Sequence, residues 1–264
     1  RIKAQVRPAL AALSSMLRRG HSWPIVILQQ LPQAACLRAW RLLAQRINAR
    51  LVDSRRNTAK FGRFQDGLTQ SKLPRFLVIV MPNTLHFLLP CVELLRGRAQ
   101  LVFIANGAEK WELQFLAARL PDVPMFVLPT LPFSSAPHGE LLSMLLTHHR
   151  EDFGIIDHDA YVLDPHLLMK LKPEQGECMV GVFAQHSERT GLQYPLTHLL
   201  YFNTKALRLL MRRWRIDARQ YPAAPPQVAN AFVSLGLGTT SYLKDYHTFF
   251  DTLHVLLVVA ISEG

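Results

Sequence analysis

Two aspartates separated by one residue, Asp157 and Asp159, follow the apolar run Phe153-Gly154-Ile155-Ile156. Successive side chains alternate in an extended chain, so both carboxylates project from one side of the strand end and crowd each other. Like charges this close repel and raise one pKa unless a cation or a positive donor neutralises them. Hard divalent cations take such oxygen ligands, so the spacing suits Mg2+ or Mn2+ bridging the pair to a ligand's phosphates. The plainer alternative is a surface turn in which Asp159 caps the next segment. Downstream, His198, His247 and His254 are candidate third ligands, each with a structural role as the simpler reading. His148-His149 reads as a helix end, and Gly236-Leu237-Gly238 as a turn.

Positioning that pair requires a buried scaffold, and the chain supplies one from Phe76 onward. Phe76 to Val80 is a short apolar run stopped by Pro82-Asn83, then comes a helical stretch from Leu85 to Leu95. The cycle repeats with a strand over Gln100 to Ile104, a break at Asn106-Gly107, a helix over Glu109 to Leu120 and a strand over Pro124 to Leu128. Gly139 to His149 reads as a further helix, Met179 to Phe183 and His198 to Phe202 as later strands, Lys205 to Arg215 as a helix and Tyr246 to Ser262 as a long apolar helix. Strand and helix alternation of this kind predicts an α/β fold with a mainly parallel sheet. Open α/β sheets bind ligands at the carboxyl ends of their strands, and Pro82-Asn83, Asn106-Gly107 and Asp157-His158-Asp159 occupy three such ends. Asn and Gly also serve simply to turn the chain.

Charge divides the chain differently. Residues 1–75 hold 15 Lys and Arg against two acids, while residues 76–264 hold 15 against 17. Within the basic part, Leu37, Trp40, Leu43, Ala44, Ile47 and Leu51 recur at helical spacing, with Arg38, Arg41, Arg46 and Arg50 on other faces. This predicts a basic helical arm over 1–56, either packed on the main domain or drawn to an anionic membrane surface. Nucleic acid is disfavoured, because no zinc-finger spacing, RNP-like motif or helix-turn-helix signature is present. Residues 57–74 are polar, contain Gly62 and Gly67 and read as a linker, which leaves 75–264 as the α/β domain.

With 49% hydrophobic and 19% charged residues in 264, the chain is neither disordered nor collagen-like. Cys36, Cys91 and Cys178 form no close pair, which favours a reduced, cytoplasmic setting over a disulfide-stapled one. The apolar run from Thr252 to Ser262 is about half the roughly 20 residues a membrane-spanning helix needs. The start at Arg1 leaves room for a trimmed or processed end.

Three segments together, Phe76-Leu77-Val78-Ile79-Val80-Met81-Pro82-Asn83, Leu89-Pro90-Cys91-Val92-Glu93-Leu94-Leu95 and Leu101-Val102-Phe103-Ile104-Ala105-Asn106-Gly107-Ala108, resemble the opening of GT-A fold glycosyltransferases of the family 2 kind. Asp157-His158-Asp159 then falls where those enzymes carry their Asp-x-Asp motif. The resemblance spans about Phe76 to Gly264 and implies a Rossmann-like sheet, a nucleotide-sugar donor held through Mn2+ or Mg2+, and a glycan, lipid or protein acceptor. Carried over, Pro82 and Asn83 would border the nucleoside, Asn106 the base and Asp157 the ribose or sugar. Asp159, with Asp157 beside it, would bind the metal. Asp251, at the opening of the last apolar helix, matches the segment that supplies a general base in inverting members. Its alternative role is an acid favoured by the helix dipole. Ala105 stands where family members often have an acid, and the first strand lacks their Thr-Tyr-Asn ending.

Two other readings compete. A haloacid-dehalogenase-like phosphotransferase would use Asp157 and Asp159 as nucleophile and acid, but three strand and helix units precede the pair and no later Asp-Asp pair follows. A non-catalytic α/β protein would keep only the basic arm's docking to a membrane or acidic partner.

Overall fold

The computed structural model of the protein describes residues 33–132, 134–164, 166–182 and 184–263. Residues 1–32 of the expected arm lie outside the described part, as do the side chains of Leu37, Arg38 and Arg41. Two compact units divide the chain, Arg1–Leu43 and Ala44–Gly264. The element order is α1 (Gln33–Val52), α2 (Arg55–Asp66), β1 (Arg75–Val80), α3 (Leu85–Leu95), β2 (Gln100–Ala105), α4 (Lys110–Arg119), β3 (Met125–Val127), α5 (His138–His148) and β4 (Phe153–Ile156). It continues with α6 (Leu167–Lys170), β5 (Met179–Gly181), β6 (Ala184–His186), β7 (Gln193–Pro195), β8 (Leu199–Phe202), α7 (Thr204–Trp214), a 3-10 turn (Pro226–Val228), α8 (Ala229–Ser234) and α9 (His254–Ser262).

Six strands form one sheet in the order β3-β2-β1-β4-β8-β5. β1 is parallel to both β2 and β4, and β2 to β3, while β8 runs antiparallel to β4 and β5. The sheet is therefore mainly parallel, and the fold is α/β as the sequence predicts. Parallel strands are covered on both faces, which is why β1 is buried at every position and apolar at all but its first residue, Arg75. Phe76, Val78 and Val80 pack on one side with Leu88, Cys91, Val92 and Leu95 of α3. Leu77 and Ile79 pack on the other with α5, α7 and α9. Gly154 in β4 makes room for that packing, since a Cβ there would lie 2.1 Å from Phe76 Cε1. A small hairpin of β6 and β7, absent from the sequence reading, stands apart from the main sheet.

Three differences have physical causes. Residues 57–66, expected in a linker, belong to α2: Ser54 Oγ accepts from Asn57 N at 3.3 Å to cap it. Phe61 and Phe64 pack on Phe126 at ring separations of 5.0 and 5.3 Å. Gln65 completes the docking, donating to His148 O at 3.0 Å and accepting from Arg150 N at 2.8 Å. Among the described side chains of α1, the buried positions are Ala44, Asn48 and Val52 rather than Ile47 and Leu51. Asn48 is buried because its amide is fully used, accepting from Leu131 N at 2.8 Å and donating to Ser135 O at 3.0 Å. The last helix starts at His254, not Tyr246: Phe250 exchanges backbone hydrogen bonds with Tyr221, and Leu253 takes a positive φ of 69°. Of the expected strand Met179 to Phe183, Met179–Gly181 is strand, and Phe183 lies outside the described residues.

Truncating Phe61, which is 1% exposed, leaves a cavity among three aromatic rings. Phe61→Ala is expected to cost about 3–5 kcal/mol in urea unfolding. A linker residue would cost no more than about 0.5 kcal/mol.

Candidate functional site

The register of β1 with its two neighbours brings three carboxyl ends side by side. Val80 is opposite Ala105 in β2, and Val78 is opposite Ile156 in β4, so Pro82-Asn83, Asn106-Gly107 and Asp157-His158-Asp159 leave one edge of the sheet. Asn83 turns with φ 61° and has an exposed side chain. Its backbone N donates to Glu112 Oε1 at 2.7 Å. Glu112, at 0% exposure, uses its other oxygen to accept from Glu109 N at 2.7 Å. One buried carboxylate of α4 thereby ties the turn after β1 to the turn after β2. The sequence signal for it is the Glu109-x-x-Glu112 capping box, which the structure forms in both directions.

Asn106 is placed at the crevice floor but is not free to read a base with its side chain. It donates to Ala136 O at 2.9 Å and accepts from Ala136 N at 2.7 Å, which saturates a side chain only 1% exposed. Gly107 follows with φ 85°, and a Cβ there would lie 2.5 Å from Ser134 O. These contacts seat residues 134–136 against the end of β2 and so fix where α5 begins.

Asp157 is held across the sheet by His198, just ahead of β8. Asp157 N donates to His198 O at 2.9 Å, and Asp157 Oδ2 lies 2.8 Å from His198 Nδ1. His198, weighed from sequence as a metal ligand, is thus a partner of the carboxylate. Asp159 is exposed in the turn that follows, and its carboxylate has no hydrogen-bond or ion-pair partner among the described residues. Both aspartates act on Cys91 in α3: burial first, then Asp159 and Asp157, push its thiol up to about 12. Cys91 Sγ donates to Ala160 O at 3.2 Å, which fixes the loop beyond the acids.

Asp251 lies in the turn before α9, where Lys244 Nζ meets Oδ2 at 2.8 Å. Gln220 Nε2 and Thr252 N donate to Oδ1 at 2.8 and 2.9 Å. Burial works to raise its pKa, but the hydrogen bonds from Lys244, Thr252 and Gln220 outweigh it and hold the carboxyl at about 2. A carboxylate so saturated is a weak proton acceptor, whereas general bases work best with a pKa near the operating pH. His138, the first residue of α5, was missed in the sequence reading. Burial lowers its pKa, and Asp157 and Asp251 both pull it back up. His254 is buried, with Nδ1 accepting from Asp251 N at 3.3 Å, and His247 stacks on Phe249 at 4.6 Å. Neither faces the acidic pair as a ligand. Gly236 turns with φ 71°, and Gly238 N donates to Ser241 Oγ, as a plain turn requires.

Among the described residues no group of three His, Cys, Asp or Glu side chains could hold a metal ion. The chain does not stay extended here, since Ala160 N closes a turn on Asp157 O at 3.0 Å, so the alternation that would put both carboxylates on one side is not kept. What the β4 end offers is the exposed Asp159 carboxylate with Asp157 two residues before it, and one or two carboxylates suit a hard cation shared with a ligand's phosphates.

Replacing Glu112 by Gln turns an acceptor oxygen into a donor facing an N–H, which is expected to cost about 1–3 kcal/mol. Acid should weaken the fold through two buried imidazoles. Burial holds both His149 and His254 down to about 4 from 6.5, so the unfolded chain takes up their protons first. Their contribution is complete above pH 6.5 and is lost as the pH falls through about 4. Urea midpoints measured across that window should drop for the wild type and drop less for His149→Gln.

No curated protein matches the chain. Among solved structures it is similar to glucosyl-3-phosphoglycerate synthase from Mycobacterium tuberculosis in complex with phosphoglyceric acid. The identity is 14% and the TM-score 0.38, over 69% of this chain and 71% of that one. It is also similar to residues 1–349 of S. aureus TarS, with 13% identity and a TM-score of 0.36 over 72% of this chain and 65% of that one. Both likenesses are distant. The family match is more extensive: residues 51–207, more than half the chain, match the StrH glycosyltransferase N-terminal domain. It takes in α2, the three strand ends, the acidic pair and His198, and stops short of Asp251. The chain belongs to the StrH glycosyltransferase N-terminal domain family.

Proposed function

We propose that this glycosyltransferase domain transfers a sugar from a nucleoside-diphosphate donor to a hydroxyl of a glycan, lipid or protein acceptor, at the crevice over the carboxyl ends of β1, β2 and β4. The observation that carries this reading is the exposed, unpartnered Asp159 directly after β4, with Asp157 beside it, in a domain of glycosyltransferase family. Asp159 is the proposed ligand of Mn2+ or Mg2+, with Asp157 as second carboxylate. When bound, the cation would neutralise charge on the departing diphosphate.

The other roles follow from what each residue is free to do. Asp157, braced by His198, presents a carboxylate that can accept from a ribose or sugar hydroxyl. Pro82 and Asn83 border the nucleoside, their turn held by Glu112. Asn106 acts by positioning residues 134–136 rather than by touching the base. Asp251 enters as a fixed negative charge held by Lys244, Gln220 and Thr252. A base role for it would require Lys244 and Gln220 to release the carboxylate first. Among the described residues no helix is long and apolar enough to cross a membrane. Membrane attraction by residues 1–56 stays an expectation from sequence, most of it beyond the described residues.

Calorimetric titration of UDP and of GDP into the full chain tests this reading. Binding of one nucleotide that requires Mn2+ and weakens at least roughly tenfold in Asp159→Asn, with unfolding unchanged, is the expected result. Equal binding by wild type and variant, or binding indifferent to a chelator, would remove Asp159 from the site.

A further inference from the structure

Helix α7 has an outward face that the crevice does not use. Lys205, Leu209, Arg212 and Arg213 recur at i, i+4, i+7 and i+8, and all four are exposed. Leu209 is 58% exposed. The opposite face holds Leu207, Leu210 and Met211 in the core, so the helix cannot rotate to hide Leu209. Arg215, exposed in a left-handed cap, extends the cationic rim. No acid occurs anywhere in the helix. Of the four exposed cations, only Arg213 meets a carboxylate among the described residues, with Nη1 3.0 Å from Glu263 Oε1.

The helix dipole explains part of this pattern and not the rest. Arg212 and Arg213 sit in the last turn, where positive charge is favoured. Lys205 sits in the first turn, where it is disfavoured, and a solvated face would intersperse acids and have no need of a leucine at its centre. At the C-terminal end of α7 a groove of about 400 Å³ lies between Trp214 and residues Asn230 and Ser234 of α8. Beside Ser234, Val233 is 70% exposed. Leu209 thus stands on one helix face among long, flexible cations whose stems can lie along apolar surface while their charges reach out.

We propose that this face of α7 docks on an anionic phospholipid bilayer, with Leu209 entering the headgroup boundary and Lys205, Arg212 and Arg215 meeting the lipid phosphates. Charge complementarity selects the occupant: a helix lying on a surface with cations around a central leucine matches a negatively charged interface into which an aliphatic group can sink. The proposal does not rest on the donor reading.

The test is co-sedimentation of the full chain with vesicles of phosphatidylcholine alone and of phosphatidylcholine with phosphatidylserine. The charge-reversed Lys205→Glu/Arg212→Glu chain is compared with Lys170→Glu/Lys172→Glu. The second pair makes the same change in net charge at exposed positions next to the other layer of the core. Wild type should sediment only with the phosphatidylserine vesicles. The α7 variant should lose roughly tenfold or more in partitioning, and the control much less, since each cation near the surface contributes separately. Leu209→Ser keeps every charge and should also weaken binding several-fold. Wild-type sedimentation by the α7 variant, equal loss in the control, or undiminished binding by Leu209→Ser would overturn the proposal.

Discussion

The position of β1 is the constraint from which the site follows. A strand hydrogen-bonded in parallel on both sides must be buried on both faces, and its register with β2 and β4 fixes where their carboxyl ends lie beside it. Every residue of β1 is accordingly apolar apart from Arg75, and β2 and β4 deliver their carboxyl ends beside its own. The backbone after each strand is then left with unpaired groups at the crevice rim. Glu112 satisfies two of them with one buried carboxylate, and Asn106 satisfies Ala136 in both directions. The rim is therefore built from polar side chains whose hydrogen bonds are internal, which fixes the turns without consuming the acids that face outward.

Electrostatics divides the acids into two kinds. Asp251 is surrounded by donors and kept charged, and its position between Lys244 and Gln220 makes it part of the frame. Asp159 has none of these restraints, and Asp157 has one, in His198. The proposed cation and phosphates would need accessible carboxylates, and Asp159 after β4 is exposed with no partner among the described residues.

Much of this was legible in the sequence where burial and chain punctuation agree. Leu85 to Leu95 and Phe153 to Ile156 coincide with α3 and β4 because an apolar run in each is bounded by turn residues. The reading fails where polar residues do the work of core residues. Asn48, Asn57 and Gln65 are buried in α1 and α2, so a search for apolar stripes sees a linker where a docked helix stands. It fails again at Phe250, whose backbone pairs with Tyr221 across 29 residues, a long-range bridge that local helix propensity cannot reveal. Asp159 and Asp157 were found by spacing, but the partner that restrains Asp157, His198, sits just ahead of β8, 41 residues further along the chain. Glu112 was within reach through its capping box, although its bond to Asn83 was not.

The claim at the centre of this account is that a divalent cation and a nucleoside diphosphate meet at the end of β4. Anomalous diffraction at the manganese edge, from crystals grown with Mn2+ and the nucleotide that binds, locates the metal directly. The account predicts a peak in coordination contact with Asp159 and with the nucleotide's phosphate oxygens. A peak at any other carboxylate, or a nucleotide bound away from the ends of β1, β2 and β4, would contradict it.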